Sequence, residues 1–281
     1  MEVIRSIKKM QARSRALVAD GKRIGIVPTM GFLHEGHISL IKRAKKLSDV
    51  VITTIFVNPA QFAPHEDLDK YPRDEKGDIA KIKKVGGDIV FIPNAADMYP
   101  ANYQTYIDVE NLSKSLEGAI RPGHFRGVTT IVAKMFNITR PDIAVFGMKD
   151  YQQGMVIRQM VKDLDYPIRI IIAPTVREKD GLAMSSRNKY FTPAQRKEAV
   201  CLYASLAVAR NMVKVEKVKK VSAIRKEMVD VIKDICPMAE IDYIAFTDYK
   251  TLAPVKIIDN TCICSLAVRV HGVRLIDNMR L

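Results

Sequence analysis

The first part of the chain alternates two apolar patterns. Continuous apolar runs at 23–27, 50–57, 88–92, 142–146 and 168–173 have the length of strands. Between them, 38–47, 76–85, 128–137 and 155–164 carry apolar residues at three- and four-residue spacing, the period of one helix face. Strands that are apolar throughout and separated by helices predict a parallel sheet covered on both faces. Ligands of such sheets bind beyond the C-terminal strand ends. That rule directs attention to 28–37, 58–62, 147–153 and 174–177.

Near 175 the pattern changes. Thr192-Pro193-Ala194-Gln195 reads as a helix start, with Thr as N-cap, Pro at N1 and Gln at N3. A long helix to about 213 is expected, then a second to about 235, then strands at 241–247, 261–270 and 273–276. Helices followed by neighbouring strands predict a smaller α+β domain. The expected organisation is an α/β domain over 1–175 and an α+β domain over 176–281.

A length of 281 residues suits that division, and 48% hydrophobic content supplies a core. No apolar run approaches the ~20 residues needed to span a bilayer. Residues 1–10 lack the apolar centre of a signal peptide. Cys201, Cys236, Cys262 and Cys264 form no C-x-x-C, and the last two fall on one face of a predicted strand. Packed, reduced thiols in a soluble cytoplasmic protein are expected. The net charge of +14 raises nucleic acid as a partner, but the excess is spread along the chain. Its dense part at 214–226 reads as a solvated helix face, with Val218, Val221 and Ile224 inward, so no nucleic-acid partner is expected.

The richest segment is Pro28-Thr29-Met30-Gly31-Phe32-Leu33-His34-Glu35-Gly36-His37, a Gly-bearing turn between a strand and a helix. Backbone N–H groups at a helix start are unpaired and partly positive, which suits phosphate. Two imidazoles can add hydrogen bonds. The His spacing of three misses the H-E-x-x-H zinc pattern, and neither a Walker loop nor G-x-G-x-x-G is present. A metal site, an exposed turn and a nucleotide-phosphate site remain open on these residues alone.

Other polar groups follow the strands. Gln61, in Asn58-Pro59-Ala60-Gln61-Phe62, offers amide hydrogen bonds suited to a carboxylate or hydroxyl. In Gly147-Met148-Lys149-Asp150-Tyr151-Gln152-Gln153, Lys149 can neutralise phosphate and Asp150 can accept ribose hydroxyls. Gly181-Leu182-Ala183-Met184-Ser185-Ser186-Arg187-Asn188 sets two hydroxyls and a guanidinium in sequence, able to grip oxyanions. Each group also fits a plain surface turn. Arg121-Pro122-Gly123-His124-Phe125-Arg126-Gly127-Val128 is a further Gly-rich turn that opens a helix.

Taken together, PTMGFLHEGH, FVNPAQF, RPGHFRGV, GMKDYQQ and GLAMSSRN closely resemble the pantothenate synthetase (pantoate–β-alanine ligase) family, over the full length and in order. Tyr71-Pro72-Arg73-Asp74 and Arg274-Leu275-Ile276-Asp277-Asn278 add to the agreement. HEGH is similar to the HIGH motif of class I aminoacyl-tRNA synthetases, and MSSR to their KMSKS loop. The resemblance implies a Rossmann-like nucleotidyltransferase domain with a smaller C-terminal lid domain. It implies ATP-dependent condensation of pantoate with β-alanine through a pantoyl-adenylate, with Mg²⁺, in a homodimer. Met30, Gly31, Phe32, Leu33, His34, Glu35, Gly36 and His37 would form the first ATP segment, with His34 and His37 on the phosphates and His37 the family's proposed proton donor. Gly147, Met148, Lys149 and Asp150 would bind ATP, Val176 would meet adenine through its backbone, and Met184, Ser185, Ser186 and Arg187 would close over the phosphates. Gln61 and Gln153 would hold pantoate, Gln61 lying next to the β-alanine site. The catalytic set so implied is His34, His37, Lys149 and Arg187. Another nucleotidyltransferase of the superfamily and an RNA-binding module are the competing readings.

Overall fold

The computed structural model describes residues 1–64 and 66–281 and divides them into two compact units. The first unit holds 1–148 and 152–174; the second holds 149–151 and 175–281.

The first unit is a six-stranded parallel sheet of β1 (Glu2–Ile4), β2 (Ile24–Thr29), β3 (Val50–Ile55), β4 (Ile89–Phe91), β5 (Ile143–Gly147) and β6 (Arg169–Ala173). Its spatial order is β1-β4-β3-β2-β5-β6. Its helices are α1 (Ile7–Ala19), α2 (Glu35–Lys45), α3 (Glu75–Lys84), α4 (Ala95–Met98), α5 (Glu117–Ile120), α6 (His124–Thr139) and α7 (Tyr151–Asp163), whose first residue counts with the second unit. Alternate strand residues supply two cores. Ile24, Ile26, Ile52 and Phe91 pack with Met10 and Leu17 of α1 and with Val132 and Phe136 of α6. Val27, Val51, Val90 and Val145 pack with Ile38 and Ile41 of α2 and Ile82 of α3. Burial on both faces is why these strands carry no polar alternation.

Three local differences from the sequence expectation bear on the site. β2 runs on through Pro28 and Thr29, so the turn is shorter than 28–37. α6 and α7 begin at His124 and Tyr151, each four residues before its apolar period becomes visible. Gln152 and Gln153 are therefore helical.

The second unit contains α8 (Pro193–Glu198), α9 (Cys201–Lys214) and α10 (Val221–Ile235), then the antiparallel meander β7 (Glu240–Asp248), β8 (Cys262–Val270) and β9 (Val273–Arg280). Leu202, Leu206, Ile224, Met228 and Ile232 of the helices cover Phe246, Cys264, Leu266 and Val268 of the sheet. The single long helix expected from 192 is two helices. Its hydrogen-bond ladder tightens at Val200, whose N–H donates three residues back to Lys197 O at 3.4 Å. All four cysteines are free, buried thiols. Among the described residues no helix is long and apolar enough to cross a membrane.

Candidate active site

Successive strands β2, β3 and β4 run to one side of the sheet, whereas β5 pairs with the other edge of β2. The C-terminal ends of β2 and β5 thus flank the switch point where parallel α/β sheets bind ligands. β2 leads into Met30–His37 and β5 ends at Gly147.

The turn after β2 is held from inside. Gly31 and Phe32 both have positive φ, 84° and 51°. A side chain at Gly31 would meet Ile55 Cγ2 at 3.0 Å and Asp78 Oδ2 at 3.1 Å. Asp78, on α3 and 1% exposed, stabilises this strained pair. Its Oδ2 accepts from Phe32 N–H at 2.6 Å and its Oδ1 from Leu33 N–H at 2.7 Å. Burial pushes the Asp78 carboxyl above its ordinary range, against the pull of those two N–H groups and of Lys81. Lys81 Nζ also donates to Leu33 O at 2.9 Å.

The two histidines cap α2. His34 is its N-cap, and His34 Nδ1 accepts from Gly36 N–H at 3.2 Å. His37, at N3, accepts from His34 N–H through its own Nδ1 at 3.3 Å. This is a capping box built from imidazoles in place of the Ser/Thr and Glu/Gln of the usual motif. An Nδ1 that accepts carries no hydrogen, so each neutral ring holds its proton on Nε2. The rings lie 4.1 Å apart between centroids. Both carry an Nε2–H donor at the positive end of a helix dipole.

The same contacts correct one expectation. The backbone N–H groups of 31, 32, 33, 34 and 36 are engaged by Thr29, Asp78, His37 and His34. The turn presents imidazole donors more than bare backbone.

Gln61 lies beside this turn, with its Nε2 3.1 Å from Met30 Sδ. Its Oε1 accepts from Asn58 Nδ2 at 3.1 Å. Asn58, 1% exposed, also donates to Gly127 O at 3.1 Å and accepts from Tyr99 OH at 2.8 Å. The Gln61 carbonyl faces His124 Nδ1 at 2.9 Å and Arg121 Nη2 at 3.3 Å. A side chain at Gly127 would lie 2.2 Å from Ala60 O, so only glycine lets α6 approach this loop.

Behind Gln61, Arg121 grips Glu66 with two hydrogen bonds of 2.5 and 2.8 Å. Burial raises Glu66, but bonds from Arg121 and Ala63 N–H outweigh it and hold the carboxyl at about 2. Burial, reinforced by Arg121, lowers His124 to about 4, so its ring is neutral near pH 7. Both shifts make the unfolded chain bind more protons than the folded one. Stability is expected to fall first between pH 6.5 and 4 as His124 is forced to charge, by on the order of 2–3 kcal/mol. It falls again between pH 4.5 and 2 as Glu66 is protonated, by about 1–2 kcal/mol after allowance for solvent screening. Urea denaturation against pH checks this: His124→Gln flattens the first step and Glu66→Gln the second.

Asn58, Glu66, Asp78, Tyr99, Arg121 and His124 are the residues that sequence reasoning passed over as site groups. FVNPAQF and RPGHFRGV contained three of them, but their function is visible only once the two loops meet.

Of the two glutamines on α7, Gln152 is structural. It is 6% exposed, accepts from Glu117 N–H at 3.0 Å and donates to Leu112 O and Ser115 O at 2.8 and 2.7 Å. Gln153, its neighbour on the helix, is half-buried.

Gly147 and Met148, at the end of β5, belong to the first unit, and the remaining sequence candidates to the second. Lys149 Nζ lies 3.6 Å from Asp150 Oδ1, and Lys149 O accepts from Asn278 Nδ2 at 2.9 Å. Val176 O accepts from Met184 N–H at 3.0 Å, closing a small hairpin with the Arg177–Ala183 bridge. Arg177 anchors that hairpin to Asp277 through bonds of 2.6 and 3.0 Å. Ser185 caps the 3-10 turn Ser186–Tyr190, its Oγ accepting from Arg187 N–H at 3.2 Å.

A family model described as pantoate-beta-alanine ligase matches residues 2–280. The chain belongs to the pantoate–β-alanine ligase family. It is 53% identical over 278 residues to a pantothenate synthetase of Desulfatibacillum aliphaticivorans, covering 99% of this chain and 98% of that one. To that of Geotalea daltonii it is 52% identical over 280 residues, with 99% and 98% covered. A crystal structure of pantothenate synthetase from Thermus thermophilus superposes with a TM-score of 0.93 at 39% identity, covering 100% of this chain and 99% of that one. The Francisella tularensis pantoate-beta-alanine ligase, solved with β-γ ATP and β-alanine, gives a TM-score of 0.81 at 36% identity, covering 100% and 97%.

Proposed function

We propose that the His34–His37 cap and Gln61 form the reacting end of the ligase site in the first unit, with the two imidazoles on ATP and Gln61, with Gln153, on pantoate. The chain is an ATP-dependent ligase that condenses pantoate with β-alanine to pantothenate, AMP and pyrophosphate through a pantoyl-adenylate. An amine cannot be acylated directly by a carboxylate, because the C–O bond that would break expels oxide, a poor leaving group. In the first step a pantoate carboxylate oxygen attacks the α-phosphorus of ATP. A C–O–P link forms as the bond from that phosphorus to pyrophosphate breaks. In the second step the neutral amine of β-alanine attacks the acyl carbon, the bond to AMP breaks, and the nitrogen loses its proton.

Charge develops on phosphate oxygens in the first step, and catalysis is positioning plus electrostatic stabilisation. The observation that carries the assignment is the paired Nδ1 capping, which makes both Nε2–H groups donors of fixed direction. Gln61, steered by Asn58 and adjacent to Met30, supports pantoate binding next to that anion site. Met30 to His37 and Gly147 to Met148 are the ATP contacts of the first unit. Lys149, Asp150, Val176, Met184, Ser185, Ser186 and Arg187 are those of the second, with Lys149 and Arg187 as the cations.

Magnesium belongs with the triphosphate. It takes oxygen ligands and keeps several waters, usually with few protein carboxylates, and it neutralises phosphate charge when bound. Among the described residues the one cluster of three potential metal ligands lies in the second unit and contains a thiol, which does not suit this ion. A homodimeric cytoplasmic enzyme completes the reading. The family resemblance supports the dimer, and four buried free thiols fit a reducing compartment.

ATP–pyrophosphate exchange tests the proposal. Exchange that requires pantoate and proceeds without β-alanine is expected. Exchange indifferent to pantoate would contradict the substrate assignment.

A further inference from the structure

Glu198, Cys236 and His271 converge from three elements of the second unit. Glu198 ends α8, Cys236 caps the C-terminus of α10, and His271 sits in the tight turn between β8 and β9. The Glu198 carboxylate, Cys236 Sγ and a ring nitrogen of His271 all lie within 4.8 Å of one another. His271 Nε2 is 2.8 Å from Glu198 Oε2, and the Cys236 thiol donates to the same carboxylate. One carboxylate thus accepts from two groups that are themselves metal ligands. Tetrahedral zinc, with bonds of about 2.0–2.3 Å to nitrogen, oxygen and sulfur, sets its ligand atoms roughly 3.3–3.8 Å apart. Small side-chain adjustments reach that spacing.

We propose that Glu198, Cys236 and His271 form a binding site for a thiophilic divalent cation of the zinc class, with water as the fourth ligand. The donor set, one sulfur, one imidazole and one carboxylate, selects zinc or cobalt over magnesium or calcium. The carbonyl end of α10 adds partial negative charge beside Cys236. Binding replaces protons with the metal. The thiol proton leaves to solvent, sulfur becomes a thiolate ligand, and the imidazole proton moves from Nε2 to Nδ1 so that Nε2 can coordinate. The cation would tie the end of α8, the end of α10 and the β8–β9 turn together. None of the three residues is assigned to ATP, pantoate or β-alanine, so the inference stands independently of the ligase chemistry.

The full-length protein, stripped with a chelator, is titrated with Co²⁺ and followed by the thiolate-to-cobalt charge-transfer absorption. One equivalent is expected to saturate the band, and Zn²⁺ to bleach it. Cys236→Ser removes the band. Glu198→Gln and His271→Asn each weaken binding at least about tenfold. Asn is chosen because His271 has φ 47° and asparagine tolerates that conformation. ATP–pyrophosphate exchange at the wild-type rate in His271→Asn shows that this variant is folded. Absence of the band overturns the proposal. So does a band whose affinity is unchanged in His271→Asn and Glu198→Gln, because a lone thiol would then be the ligand.

Discussion

Replacement of His37 by alanine is expected to slow pantoate-dependent ATP–pyrophosphate exchange about 10²–10³-fold, the usual loss when one donor to a developing oxyanion is removed. Two effects are combined in that variant. The imidazole Nε2–H is lost, and so is the Nδ1 that accepts from His34 N–H at 3.3 Å. The cap component costs about 1 kcal/mol of stability. His37→Gln separates the two. Glutamine at N3 is a standard partner in a capping box, so its carbonyl can take the His34 N–H and restore stability. Its exchange rate should remain at least about tenfold below wild type. Full recovery of rate in His37→Gln would reduce His37 to a capping residue and remove it from the chemistry.

The second large effect is at Asp78, which touches no substrate in this account. Asp78→Asn keeps the volume but turns one acceptor oxygen into an NH₂ group facing a backbone N–H. Phe32 N–H or Leu33 N–H then loses its partner inside the protein, beside two residues already at positive φ. An unpaired buried donor costs about 1–3 kcal/mol, and the charged acceptor lost here raises that to about 2–4 kcal/mol. Urea denaturation reads the loss. Because the strained turn is no longer held, KM for ATP should rise as well. A variant with wild-type stability and wild-type KM would show that the turn keeps its shape without Asp78.

Strands β2 to β5 were legible because they are buried on both faces and read as unbroken apolar runs, and β6 was legible as an apolar run, whereas β1, with two of its three residues exposed, was not seen. The rule that ligands bind beyond C-terminal strand ends pointed to 28–37, 58–62, 147–153 and 174–177 before any side chain was placed, and the strand order then singled out the loops after β2 and β5. α1 escaped notice because only Met10, Ser14 and Leu17 of its thirteen residues are buried, too few to mark a period. The cap was hidden for a chemical reason: histidine occupies both positions at which capping boxes are ordinarily recognised by Ser or Thr and Glu or Gln. Asp78 lies 46 residues beyond Phe32 in sequence, and Gly127 lies 69 beyond Asn58. No local pattern connects such pairs. The second glycine of RPGHFRGV could be read only as part of a turn. Its actual constraint is helical, set by the Ala60 carbonyl that a side chain would strike.

The central claim is that His34 and His37 are fixed as Nε2–H donors by the backbone they cap, and that these donors meet the phosphates of ATP. Nitrogen-15 NMR of histidine-labelled protein measures both parts at once, with His34→Ala and His37→Ala used to assign the signals. Both neutral rings are expected to carry hydrogen on Nε2 with Nδ1 bare, and both Nε2 signals to move on addition of a non-hydrolysable ATP analogue. Rings protonated on Nδ1, or Nε2 signals unmoved by a saturating analogue, would contradict that claim.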